Sequence, residues 1–283
     1  MKPGVYPASV TPLDDRGRVD HLSLARLLAY FEAAECTGVV LAGTNGEGPS
    51  LSAVEKRDLV GVASKLRGKL DLVLGVATPS LEEAVWLSNR AEDGGAVAIL
   101  VLPPFFIRPA SDSGMRDWFL NLLDRSKVPV IAYNFPAKSG FTLTTGFLES
   151  IRDHEMLIGV KDSSGEVANL SDFRRVLPTH HSFVGDETLL WEALEQGWSG
   201  SISGAANTLP AWVSRVVRER DNAAFELILP LIREIRKFPQ PAMHKAMLKL
   251  RGVLTTDKVR LPLEPVDEAQ AVEFIERIKS VVG

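Results

Sequence analysis

Residues 128–161 read VPVIAYNFPAKSGFTLTTGFLESIRDHEMLIGVK. The apolar run 128–133 ends in a tyrosine. A helix-length amphipathic stretch, 144–152, follows, and a second apolar run, 157–160, ends against Lys161. Neither run alternates with polar residues, which is the pattern of strands covered on both faces. Strand, helix and second buried strand make one βαβ unit, whose two strands lie parallel.

The same alternation extends in both directions. Apolar runs at 4–10, 38–42, 70–76, 96–102, 182–184 and 200–203 are separated by candidate helices at 21–35, 53–67, 81–93, 113–126, 166–176, 187–196 and 209–218. Ser52 stands three residues before Glu55, the spacing of a capping box, and Ser80 precedes Glu82 and Glu83, which places acid in a first turn. Eight such units by residue 220 predict closure into a (β/α)8 TIM barrel. The alternative, an open doubly wound sheet, normally carries a GxGxxG turn after its first strand, whereas this strand runs into Thr11-Pro12-Leu13-Asp14-Asp15. From 221 onward no strand pattern returns. Helices are expected at 223–237, 242–251 and 267–281, punctuated by Pro239, Pro241, Pro262 and Pro265. The expected organisation is a catalytic barrel over 1–220 and a three-helix C-terminal extension over 221–283 packed on it.

The chain has 283 residues, 45% of them hydrophobic, enough for a large core. Its net charge is -4 with no basic run, which gives no footing for nucleic acid. A small anion is still compatible, since one pocket can be positive on an acidic protein. No apolar run reaches the ~20 residues of a membrane span. Cys36 is the sole cysteine, so no intrachain disulfide forms, as expected of a cytoplasmic protein. The five histidines show no HxxxH or HExxH spacing, and no metal is expected; His180 and His181 follow Pro178 in an expected loop.

The segments that carry chemistry cluster at the C-terminal ends of the expected strands, the catalytic face of a barrel. Lys161 follows an apolar run and precedes Asp162-Ser163-Ser164-Gly165. Burial disfavours an ammonium, so a lysine set there presents the neutral amine that attacks a carbonyl to form an imine. The other reading is a surface lysine paired with Asp162. Tyr133 ends the preceding run, and neighbouring strands lie about 5 Å apart; its hydroxyl is a candidate proton relay or, alternatively, a core tyrosine satisfied locally. Gly43-Thr44-Asn45-Gly46-Glu47-Gly48 offers close backbone approach and side-chain donors suited to a carboxylate, or is merely a connecting turn. The small residues 200–204 leave room for substrate or pack strand on helix, and the segment 103–109, with Phe105 and Phe106, forms an aromatic rim.

At Gly43-Thr44-Asn45-Gly46-Glu47, Tyr133-Asn134-Phe135-Pro136, Gly159-Val160-Lys161-Asp162-Ser163 and Gly185-Asp186, the chain resembles the dihydrodipicolinate synthase / N-acetylneuraminate lyase superfamily along essentially its whole length. The resemblance implies a class I pyruvate-dependent aldolase or lyase, assembled as a homo-oligomer (dimer or tetramer), that needs neither cofactor nor metal. It implies that Lys161 forms the Schiff base and Tyr133 relays protons. Gly43, Thr44 and Asn45 would hold the carboxylate of pyruvate or another 2-oxo acid, and the backbone near Ile202 would line the site. Three departures from the synthase pattern matter. Phe106 stands where the synthase has a second tyrosine reaching across a dimer contact, Lys138 replaces an arginine that binds the aldehyde's carboxylate, and Asn45 replaces a second threonine. Lysine keeps the charge and loses the bidentate fork. These departures bring the chain closer to the 4-hydroxy-2-oxoglutarate and 2-keto-3-deoxy sugar-acid aldolases. Dihydrodipicolinate synthase itself, a dehydratase of the same family, and a barrel that binds a 2-oxo acid without turnover are the competing expectations.

Overall fold

The computed structural model describes residues 1–282. Its eight strands are β1 (Gly4–Pro7), β2 (Gly38–Leu41), β3 (Asp71–Val76), β4 (Ala98–Val101), β5 (Val130–Asn134), β6 (Leu157–Asp162), β7 (His181–Val184) and β8 (Gly200–Ser203). All pair in parallel, each with its chain neighbours, and β8 pairs with β1. The first and second strands complete the circle: Thr37 N donates to Val5 O at 2.9 Å and Ser9 N to Val40 O at 3.0 Å. That closure excludes the open sheet.

Two apolar layers account for the unbroken runs in the sequence. Tyr6, Val40, Val73, Leu100, Ile131, Phe183 and Ile202 fill the barrel interior. Val39, Leu41, Leu72, Leu74, Ile99, Val130 and Val184 face outward onto the helices. Both sides of each strand are dry, so both are hydrophobic. The surrounding helices are α1 (His21–Ala33), α2 (Ala53–Leu66), α3 (Leu81–Asp93), α4 (Asp112–Arg125), the one-turn α5 (Pro136–Ser139), α6 (Thr145–Ile151), α7 (Ala168–Val176), α8 (Leu190–Glu195) and α9 (Pro210–Glu219). The capping box forms as spaced: Ser52 Oγ accepts from Glu55 N at 3.2 Å and Glu55 Oε2 from Ser52 N at 2.9 Å. Ser80 caps α3 through Glu83 N.

The differences from the sequence reading are local. The first run pairs as a strand only to Pro7, and the expected helix at 187–196 begins as a 3-10 turn, Glu187–Leu189, which the Asp186 side chain caps through Thr188 N. His181 opens β7 instead of lying in a loop, at the strand's N-terminal end and away from the functional face.

Three C-terminal helices follow, α10 (Asn222–Ile235), α11 (Gln240–Leu250) and α12 (Glu268–Val282). Phe225, Ile228, Leu231, Met243, Met247 and Phe274 bury in the same apolar layer as the outer barrel face. One polar contact anchors this segment to the loop after β2: the fully buried Lys245 ion-pairs with buried Glu47 and donates to Lys258 O at 2.8 Å, while Glu47 accepts from Arg260 N at 2.6 Å. Burial pulls the Lys245 ammonium below its ordinary pKa. Removing one partner of such a pair leaves the other charge dry, at a cost of roughly 3–5 kcal/mol. Lys245→Ala is therefore expected to lower unfolding stability by that order in urea denaturation, and Glu47→Gln/Lys245→Met to recover most of it. A single-variant loss below about 1 kcal/mol, the range of an exposed pair, would show that the contact is not the anchor described.

Candidate active site

Strands β5 and β6 place the two central side chains side by side. Their register sets Tyr133 opposite Lys161 and Asn134 opposite Asp162. Tyr133 and Lys161 point into the barrel, and each neighbouring residue points the other way, as strand alternation requires. Asp162 accordingly turns away from the lysine. It accepts from Asn134 Nδ2 at 2.7 Å, Ser164 Oγ at 2.9 Å, Ser164 N at 3.1 Å and Asn169 Nδ2 at 3.2 Å. Burial raises its pKa despite those donors. The reading of Lys161 as a surface residue paired with Asp162 is thereby excluded: Lys161 is only 4% exposed, and its Nζ lies over the Tyr133 ring, 4.2 Å from the centroid. The amine thus meets the ring face. Gly185 makes room for it, since a Cβ there would come within 2.5 Å of Lys161 Cε and 2.1 Å of Ser163 Oγ.

The Tyr133 hydroxyl sits 3.4 Å from both Thr44 Oγ1 and Ser163 Oγ. With Thr44 it forms a wall between two cavities. The smaller, of about 90 Å³, holds Lys161, Asn45, Ser163, Glu187, Arg236 and Gln240. The larger, of about 250 Å³, is apolar, with Val76, Leu100, Leu102 and Phe105 facing Gly43; Lys138 is the cation on its wall.

The loop carrying Thr44 and Asn45 is held by close packing. A Cβ on Gly48 would stand 1.9 Å from Ala42 O. The left-handed residues of this segment are Ala42 (φ 52°) and Glu47 (φ 54°), both non-glycine. Strain of this kind persists where surrounding contacts hold it, and Glu47 is tied in place by Lys245 and Arg260 N.

In the small cavity several polar groups lack partners. Asn45 is 5% exposed, yet neither its amide nor that of Gln240 hydrogen-bonds within the described residues. Glu187, 4% exposed, spends one oxygen fully: Oε1 accepts from Ser203 Oγ at 2.8 Å, Ala205 N at 2.9 Å and Gly204 N. Its Oε2 has no donor. Asn45 Nδ2, Gln240 Oε1 and Glu187 Oε1 converge over Gly204, where a Cβ would lie 2.7, 3.0 and 3.5 Å from them. These groups reach the open space of the cavity with hydrogen-bonding capacity to spare, which suits them to meet a polar ligand.

Of the residues singled out in the sequence, Lys161, Tyr133, Thr44 and Asn45 meet in the small cavity, while Gly43 and Lys138 line the large one. Phe106 joins neither: it is 78% exposed, and its neighbour Phe105 lines the apolar wall. The Ile202 side chain is buried in the barrel interior, and the backbone that reaches the cavity beyond β8 is Gly204. Sequence reading missed Glu187, Arg236 and Gln240 as members of the site. Glu187 was within reach, because it follows Gly185-Asp186 at a strand end. Arg236 and Gln240 had no signal, since they flank the gap between α10 and α11, far along the chain.

Over residues 1–281 the chain matches the dihydrodipicolinate synthetase family. It is 28% identical over 278 residues to the 4-hydroxy-tetrahydrodipicolinate synthase of Sodalis glossinidius, covering 95% of each chain. It is 29% identical over 289 residues to that of Archaeoglobus fulgidus, covering 99% of each. The crystal structure of the chloride-inhibited dihydrodipicolinate synthase from Acinetobacter baumannii, complexed with pyruvate, superposes with a TM-score of 0.93 at 26% identity over 99% of both chains. YagE, a prophage protein of E. coli complexed with pyruvate, shares the fold with a TM-score of 0.92 at 24% identity, covering 99% of this chain and 98% of that one.

Asp186, at the cavity edge, is held by Arg236 from two sides, with Nη2 to Oδ2 at 2.7 Å, and by Thr188 Oγ1 at 2.7 Å. Burial acts to raise its pKa, and these donors outweigh burial and hold the carboxyl below its ordinary value. A depressed carboxylate stabilises the fold above the unfolded value of about 3.9 and loses that contribution as pH falls through the folded value. The difference in urea midpoint between the wild type and Asp186→Asn is therefore expected to be full at neutral pH and to shrink below about pH 4. A difference independent of pH would contradict this account.

Proposed function

Because the chain belongs to the dihydrodipicolinate synthetase family, we propose that it is a lysine Schiff-base lyase or aldolase that cleaves or forms a 2-oxo acid with pyruvate as one partner. The observation that carries the reading is the Lys161 amine, buried against the Tyr133 ring in a cavity lined by polar side chains. Lys161 Nζ attacks the ketone carbon of the 2-oxo acid. Protons move from nitrogen to the departing hydroxyl, water leaves, and the C=N bond forms. Tyr133 is the relay for those protons, its hydroxyl linked to Thr44 and Ser163. Asn45 and Thr44 receive the carboxylate next to the imine. In the cleavage direction the 4-hydroxyl loses its proton, the C3–C4 electrons flow into the imine, an aldehyde leaves, and the enamine is protonated and hydrolysed to pyruvate. The imine is itself the electron sink, so this step calls for no metal.

Phe106, Lys138 and Asn45 depart from the synthase pattern and favour a 4-hydroxy-2-oxo or 2-keto-3-deoxy sugar acid as substrate. The second reading, condensation of pyruvate with aspartate semialdehyde, draws on the names of the relatives and on Lys138, which offers the larger cavity a cation. The exposed pair Phe106 and Ile107 in the rim loop suits a contact between copies, in keeping with a homo-oligomer, and the free Cys36 suits the cytoplasm.

Borohydride reduction in the presence of pyruvate is expected to add one reduced pyruvyl group at Lys161, located by mass spectrometry, and none in Lys161→Ala. Absence of the adduct in the wild type would sink the reading. Tyr133→Phe is expected to lower kcat by about 10²–10⁴ while the adduct still forms. Robust turnover of pyruvate with aspartate semialdehyde would shift the assignment to the synthase.

A further inference from the structure

The small cavity has a wall that the barrel does not supply. Arg236, at the C-terminal end of α10, and Gln240, the first residue of α11, close the side facing Lys161. Arg236 is committed to Asp186 through one N–H on each terminal nitrogen. Of the five N–H donors of a guanidinium, three stay uncommitted within the described residues. Beside them stand the unpartnered Gln240 amide, which donates and accepts, and the bare Oε2 of Glu187, which accepts only.

The charges on this wall decide what it can receive. On this wall Asp186 is paired with Arg236, and Glu187 adds a carboxylate whose Oε2 has no donor among the described residues. A second carboxylate or a phosphate there would meet that carboxylate, and like charges repel. A hydroxyl fits in both senses: its proton goes to Glu187 Oε2, and its lone pairs take the spare N–H groups of Arg236 and Gln240. Apart from the reacting Lys161, the cation without a carboxylate beside it is Lys138, which lines the other cavity, beyond the Tyr133–Thr44 wall.

We infer that Arg236 and Gln240 are specificity-determining residues, and that they select a second substrate whose chain is neutral and hydroxylated, a hydroxyaldehyde, over an anionic or a purely apolar aldehyde. This rests on the assignment of Lys161 as the imine-forming residue. The Asp186–Arg236 ion pair is the positioning element: Asp186 fixes the guanidinium at the cavity wall without leaving an uncompensated positive charge there. The C-terminal helices thus complete the site by contributing two of its side chains.

The test separates the two assignments. Pyruvate trapping by borohydride reads Lys161 alone, and aldol addition to glyceraldehyde, propionaldehyde, glyoxylate and aspartate semialdehyde reads the wall. In the wild type, glyceraldehyde is expected to show the highest kcat/KM of the four. Arg236→Ala is expected to raise KM for glyceraldehyde about tenfold, as loss of one good hydrogen bond implies, and to raise KM for propionaldehyde and half-saturation of trapping by pyruvate clearly less. Arg236→Lys should recover part of the loss and Gln240→Ala should raise the same KM. Preference for an anionic aldehyde, with KM sensitive to Lys138→Ala and not to Arg236→Ala, would overturn the inference while leaving Lys161 in place. Absence of trapping in the wild type would instead remove the underlying assignment. If Arg236→Ala fails to fold, judged by lost trapping, Arg236→Lys and Gln240→Ala decide by the same KM criterion: an unchanged KM in both overturns it.

Discussion

One irregularity in the barrel determines which way Lys161 points. Val130 pairs with Leu157, but Ile131 pairs with Gly159, so β6 carries one extra residue at Ile158. Leu157 faces the helices, in the outer layer. In an unbroken strand every second residue shares a face, and Lys161, four residues on, would face the helices as well. The bulge shifts the phase by one. Lys161 then turns inward opposite Tyr133, Asp162 turns out to its own hydrogen-bond network, and the amine is separated from its neighbouring carboxylate.

From that orientation the other requirements follow. An inward lysine needs room, which Gly185 provides by lacking a Cβ. Its surroundings are not all apolar: Asn45, Glu187 and Gln240 present polar atoms with no internal partner. The frame that carries these groups is well tied. Lys245 holds Glu47 and with it the loop carrying Thr44 and Asn45. Arg236 holds Asp186 and the turn carrying Glu187, and Arg260 reaches Glu55 and Ser50 O beside the same loop. All three basic residues lie beyond the eighth strand, so the C-terminal helices brace the functional face as well as filling core.

Much of this was legible beforehand. Strands buried on both faces announce themselves as unbroken apolar runs, and eight alternations leave little besides a barrel. Lys161, Tyr133, Thr44 and Asn45 stood at strand ends, where the fold places chemistry. Phe106 was less tractable: neighbouring aromatics in a proline-rich loop do not reveal which one turns inward, and Phe105 is the one that does. Ile202 showed the same limit, since one position along a strand separates a core side chain from a cavity-lining backbone.

The sequence by itself therefore determined the architecture and the chemical kit, because hydrophobic periodicity and residue type are local properties. Only the tertiary structure decided the direction of Lys161 and the membership of Arg236 and Gln240. The direction depends on a single-residue register shift, which leaves no trace in an all-apolar strand. The membership depends on where distant helices dock, and that is set by packing contacts between segments about 75 residues apart along the chain.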